Sequence, residues 1–157
     1  TTGTLAGRTE NSMGIESFLQ KYKYVALDTN VFISLFSQEH LGEKVVPLID
    51  AAANQGKLEL VASVLSFAEC AVKPYREGNW MALDKIKLMF QMPHLTVYPV
   101  DDRVAEEAAR IRAVYNFKMP DAIHLATAII HRAGVFLTND YQLATIKEIP
   151  VMKLEEL

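Results

Sequence analysis

The stretch Tyr24-Val25-Ala26-Leu27-Asp28-Thr29-Asn30-Val31-Phe32 decides how the rest of the chain is read. Tyr24 to Leu27 form a short apolar run that ends on a carboxylate, the form of a buried strand. A turn follows, and residues 31–36 take up helical spacing. A strand that passes into a helix through an aspartate is the first half of an alternating α/β pattern, and the sequence on its C-terminal side continues it.

Residues 42–54 carry Val45, Val46, Leu48, Ile49 and Ala52 near helical spacing, and Gln55-Gly56 closes that helix. A second strand is expected over 58–61. Ser63 is placed to cap a helix bearing Val64, Leu65, Phe67, Ala68, Ala71 and Val72, with Glu69 inside it and an interruption near Pro74. A helix over 79–90 leads to a third strand, Leu95-Thr96-Val97-Tyr98, of β-branched and aromatic character. Asp101 or Asp102 caps the next helix, in which Val104, Ala105, Ala108, Ile111 and Val114 recur until Asn116. Pro120 opens a helix over 121–131 that is apolar on most sides, and Gly134 stops it. Val135-Phe136-Leu137 makes a fourth strand, with Asp140 after it as Asp28 follows the first, and a last short strand is expected over 149–152. This alternation predicts an α/β three-layer sandwich with a mainly parallel sheet of four to five strands flanked by helices.

Composition sets the limits. With 157 residues, 50% of them hydrophobic, the chain can bury one core, and a single domain over 22–157 is expected. Residues 1–12 are polar, show no periodicity and lack the apolar centre of a secretory signal; residues 1–21 are assigned to a tail or leader, flexible in part. No apolar run approaches the roughly 18 residues that a membrane-spanning helix needs. Cys70 is the only cysteine, which excludes an intrachain disulfide and favours a reducing cytoplasm. The net charge of -3 excludes a protein that grips a long nucleic acid through a strongly basic face. A nucleic-acid partner would be held locally, with bound cations supplying the positive charge.

The acids are the chemistry-bearing residues. Asp28 and Asp140 each end an apolar strand, Asp121 begins a very apolar helix, and Glu69 interrupts another. Carboxylates gathered together repel one another unless cations compensate them. An oxygen-only donor set selects Mg²⁺ or Mn²⁺, and no Cys/His spacing suits structural zinc. Such an ion suits hydrolysis of a phosphodiester. Taken singly, each aspartate is also what a helix cap or a helix N-terminus prefers.

Four stretches together resemble the PIN-domain ribonuclease family, most of all its small VapC-type toxins. Val25-Ala-Leu-Asp28-Thr29-Asn30-Val-Phe is similar to the opening strand of that family, and Ser63-Val-Leu-Ser-Phe-Ala-Glu69 places an acid where it keeps its second. Pro120-Asp121-Ala-Ile-His-Leu-Ala-Thr-Ala is similar to its central buried helix, and Leu137-Thr138-Asn139-Asp140 to its strand-four motif. The resemblance covers residues 22–153. It implies a metal-dependent endoribonuclease, often dimeric, acting on RNA with Mg²⁺ or Mn²⁺, and in small bacterial members silenced by an antitoxin. It makes Asp28, Glu69, Asp121 and Asp140 the metal ligands or water activators, and Thr29, Asn30 and Asn139 the neighbours that orient ligands or phosphate. The length before Tyr22 and the segment between Pro74 and Pro93 are less typical of the toxins.

Other readings compete. His124 and His131 share one helix face with Asp121, although a histidine there is more often satisfied or solvent-facing than catalytic. Cys70 projects about 100° from Glu69 on the helix and has the character of a small buried hydrophobe. Lys73, Arg76, Arg112, Lys118 and Lys147 flank the acids and could reach phosphates, but dispersed basic residues usually make only a solvated surface. A phosphatase using Asp28 as nucleophile would want a second acid two residues on, where Asn30 stands. A non-catalytic nucleic-acid or protein binding module has no need of four acids.

Overall fold

The computed structural model describes residues 14–37 and 41–157. Strand β1 (Tyr24–Leu27) lies at the centre of a five-stranded sheet with β2 (Glu59–Ser63), β3 (Leu95–Tyr98), β4 (Val135–Thr138) and β5 (Val151–Lys153). The order is β3-β2-β1-β4-β5. Every ladder is parallel, with Val25 opposite both Leu60 and Val135. Among the described residues, seven α-helices cover the sheet: α1 (Ile15–Lys21), α2 (Thr29–Phe36), α3 (Gly42–Ala53), α4 (Val64–Glu77), α5 (Trp80–Met89), α6 (Asp102–Tyr115) and α7 (Met119–Ile130).

The alternation of side chains along each strand divides the core into two layers. Val25, Leu27, Leu60, Ala62, Val135 and Leu137 face a cluster completed by Phe18, Phe32, Leu48 and Ile86 from α1, α2, α3 and α5. Ala26, Val61 and Phe136 face the opposite cluster, built on Ile111 of α6 and Leu125 of α7. A central strand buried on both faces is therefore apolar throughout, which is why β1 reads as a continuous run rather than an alternating one. The three-layer α/β sandwich expected from the sequence is the observed fold, and all five strands run the same way.

Three expectations are corrected. Residues 15–21, assigned to the tail, form helix α1, with Phe18 fully buried beneath Ile15, Leu19 and Tyr22; residues 1–13 lie outside the described residues. Pro74 does not interrupt α4, which continues to Glu77. It stands in the last turn, where its missing N–H removes a single hydrogen bond, and Gly78 then ends the helix in the left-handed region. The last strand begins at Val151 rather than 149, while Ile149 is buried in the loop before it. At the start of α3 a Cβ on Gly42 would collide with the Ser34 carbonyl oxygen, so the approach of α3 to α2 requires glycine there. Among the described residues, no helix is long and apolar enough to cross a membrane.

Candidate active site

In a parallel sheet the carboxyl ends of the strands open towards the following loops and helix N-termini, which makes that edge the usual place for a site. Asp28 leaves the end of β1 and caps α2, and Asp140 follows β4 next to it. Glu69 lies in α4, which starts at the end of β2, and Asp121 sits in the first turn of α7. The sheet thus directs all four acids to one edge from four different segments.

Asp28 is buried at 4% exposure and held on both oxygens. Its Oδ1 accepts from the Thr29 backbone N–H at 2.8 Å, while Oδ2 accepts from the Thr138 hydroxyl at 2.8 Å and the Asn30 amide at 3.2 Å. Burial raises its pKa; the His124 charge and the Thr138 and Thr29 hydrogen bonds oppose that rise, and the Glu69 charge adds to it. Asn30 also donates to the Thr138 hydroxyl and accepts from the Asn139 backbone N–H, both at 3.2 Å. Asp140 donates its own backbone N–H to Thr138 Oγ1 at 3.0 Å, and its carboxylate accepts from the Gln142 N–H at 2.9 Å. Thr138 therefore ties the ends of β1 and β4 together.

On the other side of Asp28 the Thr29 hydroxyl is the centre of a second set of bonds. It donates to Glu69 Oε1 at 2.7 Å and lies 3.1 Å from Ser66 Oγ and 3.0 Å from His124 Nε2. His124 Nε2 is itself 2.6 Å from Glu69 Oε1. The hydrogen bond from His124 is the main reason the Glu69 carboxyl sits below its ordinary pKa; burial opposes it, and the Thr29 hydroxyl adds to it.

Asp121 and Asp140 line an open cleft of about 480 Å³ with Tyr115, Asn116, Phe117, Lys118 and Gln142. Among the described residues the Asp121 carboxylate takes no hydrogen bond. Burial raises its pKa first, and the negative charges of Asp28, Asp140 and Glu69 raise it further, with His124 opposing. All four acids thus share one electrostatic field. Among the described residues, no three His, Cys, Asp or Glu side chains are drawn into a ready-made metal cage. The donor set is oxygen throughout and fits a hard divalent cation.

The structure separates the remaining candidates. His131 does not join His124: its ring stacks on Tyr98 with centroids 3.4 Å apart, at the far end of α7. Cys70 is buried, and desolvation with the Glu69 charge pushes its thiol up to about 12, too high for a nucleophile at neutral pH. Arg112 donates to the Phe117 carbonyl and closes the α6–α7 connection. Lys118 lines the acidic cleft, and Lys73 lines a groove that reaches Glu69. Thr138 and Ser66 were not singled out by their sequence pattern. A polar residue at the end of the wholly buried β4, and a serine on the core-facing side of α4, were the available signals.

A doubly covered parallel sheet with clustered acids at its carboxyl edge defines a class of α/β proteins built to concentrate negative charge beside an open cleft. The chain belongs to the PIN domain family, whose pattern it matches over residues 25–149. Compared with curated proteins, the sequence finds no match. Its fold is similar to that of a toxin–antitoxin complex from Klebsiella pneumoniae (24% identity, TM-score 0.65, covering 85% of this chain and 99% of that one). It is similar too to VapBC2 from Rickettsia felis bound to a promoter DNA fragment (12%, TM-score 0.68, covering 82% and 97%). A third similar structure is the sarcin-ricin-loop-cleaving toxin VapC20 of Mycobacterium tuberculosis (14%, TM-score 0.62, covering 80% and 98%).

Proposed function

We propose that the protein is a metal-dependent endoribonuclease of the VapC toxin type, with Asp28, Glu69, Asp121 and Asp140 as its metal-holding acids. The observation that carries this reading is the meeting of four carboxylates from four segments at the carboxyl edge of the sheet, where burial and then the charges of Asp28, Asp140 and Glu69 raise the Asp121 carboxyl and, among the described residues, no Lys or Arg pairs with Asp28 or Asp121. A site of that kind gains most from a divalent cation. Mg²⁺ or Mn²⁺, when bound, would supply charge neutralisation at a phosphodiester and a more acidic water. Asp28, held on both oxygens, is a fixed anchor, and Asp121 is free to turn towards a ligand. Asn30 and Thr138 orient Asp28, and Thr29 orients Glu69. The Asn139 side chain, which makes no hydrogen bond among the described residues, is available to a phosphate.

Among the alternatives, the phosphatase reading is disfavoured by Asn30, which donates to Asp28 where that chemistry wants a second acid. A non-catalytic module would have no reason to keep an unpaired Asp121 beside three other carboxylates. For partners, the toxin–antitoxin complexes among the similar folds support an antitoxin. A groove of about 460 Å³ lined by Ile33, Phe36, Pro74, Met81 and Ile86, reaching Glu69, offers an apolar segment a place beside the acids. A homodimer is the further partner proposed, and the mass measured by sedimentation equilibrium with and without a co-expressed antitoxin separates the two.

The deciding experiment is cleavage of labelled single-stranded and stem-loop RNA in Mg²⁺ or Mn²⁺, with EDTA and the Asp28→Asn variant as controls. Cleavage that EDTA and the substitution both abolish is the expected result. Cleavage that persists in both would overturn the assignment of the acids.

A further inference from the structure

Beyond the four acids, the most constrained polar side chain of the site is His124. It is buried at 3% exposure on α7, one turn after Asp121 and therefore on the same face. Its Nε2 lies 2.6 Å from Glu69 Oε1 and 3.0 Å from Thr29 Oγ1. A carboxylate can only accept, so Nε2 carries a hydrogen. The single hydroxyl hydrogen of Thr29 goes to the same Glu69 oxygen, which leaves Thr29 an acceptor towards His124 and Ser66.

The other ring nitrogen, Nδ1, is buried and has no hydrogen-bond partner among the described residues, so the Nε2 side carries the polar contacts of the ring. Glu69 Oε1 receives two donors, from α2 and α7, while among the described residues Oε2 takes no hydrogen bond.

We propose that His124 is a positioning residue: as a donor through Nε2 it fixes the Glu69 carboxylate, and with it the separation between the acid on α4 and Asp121 on α7. The inference rests on the metal-dependent nuclease reading above. Thr29, Ser66 and His124 join the start of α2, α4 and α7, the elements that carry Asp28, Glu69 and Asp121. The clamp is made wholly of protein side chains, so the entropy of ordering Glu69 is spent during folding rather than at binding.

The test is Mn²⁺ affinity of the full chain, followed by the electron paramagnetic resonance of free Mn²⁺, for wild type, Asp28→Asn, His124→Ala and His124→Gln. Thermal melts check folding, and RNA cleavage is measured in parallel. Gln places an amide N–H near the position of Nε2 and cannot serve as an acid or base. His124→Ala is expected to weaken Mn²⁺ binding by about tenfold or more and to lower kcat while leaving KM for RNA in place. His124→Gln should recover most of both; it also decides the matter if the alanine variant does not fold. Wild-type affinity in His124→Ala overturns the positioning role and leaves the nuclease reading standing. So does a folded His124→Gln as weak as the alanine variant. Equal Mn²⁺ binding by wild type and Asp28→Asn overturns the nuclease reading, and this inference with it.

Discussion

The two halves of the acidic site are built on opposite principles. Around Asp28 and Glu69 the neighbouring side chains are already committed: Thr29, Asn30 and Thr138 hold the buried Asp28, while Thr29 and His124 hold one oxygen of the more exposed Glu69, with Ser66 bonded to Thr29. Around Asp121 and Asp140 the same edge of the sheet is open, lined by a cleft, and Asp121 is met chiefly by the charges of its fellow acids. The first half is fixed by side-chain hydrogen bonds that join different segments. In the second, Asp140 is held by the Gln142 N–H of its own turn and Asp121 by no hydrogen bond among the described residues, so the Asp121 carboxylate is the freer to turn towards the cleft.

Substitutions in the two halves break the comparison in different ways. The largest effect is expected on activity, where Asp28→Asn and Asp121→Asn should each lower metal-dependent RNA cleavage by more than the roughly 10–100-fold that outer partners of a metal ligand cost. Thr29→Val comes next. It keeps the backbone donor to Asp28 but removes the hydroxyl that joins Ser66, His124 and Glu69, for an expected loss of about tenfold in cleavage and about 1–2 kcal/mol in stability, with Thr29→Ser restoring both. Full activity in the valine variant would show that Glu69 does not need its clamp.

Stability without metal separates the halves further. Asp28→Asn presents an amide N–H to the Thr138 and Asn30 donors and should cost about 1 kcal/mol, or about 2–4 °C in melting temperature. Asp121→Asn forfeits no hydrogen bond and relieves a repelled charge. Partly exposed and favoured by the α7 N-terminus, that charge is worth only on the order of 0.5 kcal/mol, so the variant should melt about 1–2 °C higher.

The smallest effect is the pH dependence of that last difference. Asp121 has a raised pKa in the folded chain, so the native state holds its proton more firmly than the unfolded one. Its favourable contribution is complete below the ordinary aspartate pKa and is lost as pH rises through the folded value. Wild type and Asp121→Asn should therefore melt alike in acid and diverge towards neutral pH. Glu69, with its lowered pKa, has the opposite sign: its contribution is present above the ordinary glutamate value and is lost as pH falls through the folded one. The gap between wild type and Glu69→Gln, measured in the same melts, should close in acid from the stabilising side.

Much of this was legible in the chain itself. The apolar runs at β1 and β4, the caps Asp28, Ser63 and Asp101, and Pro120 near the start of α7 are local signals with local causes, and the structure uses each of them. Helix α1 also had its signal, Ile15, Phe18, Leu19 and Tyr22 at helical spacing. It was obscured because seven residues next to a polar leader give too short a window for periodicity to stand out. Pro74 weighs against a helix interior in the sequence, whereas only its distance from the helix end tells how many bonds it breaks.

For the site, sequence alone supplied the candidates: four acids at the ends of apolar elements and no cysteine or histidine pattern, the grounds for proposing oxygen donors and a hard cation. What it could not determine was which polar neighbours face them. Thr29, Ser66, Glu69 and His124 come from three helices, and Asp28 meets Thr138 across 110 residues. Hydrogen-bond partners are selected within about 3 Å by side-chain direction, and that is decided only when β1 and β4 pair in register and α2, α4 and α7 pack onto the sheet. Local sequence could propose the carboxylates; the division into a clamped half and an open half belongs to the tertiary structure, because burial and hydrogen bonding are properties of the assembled edge.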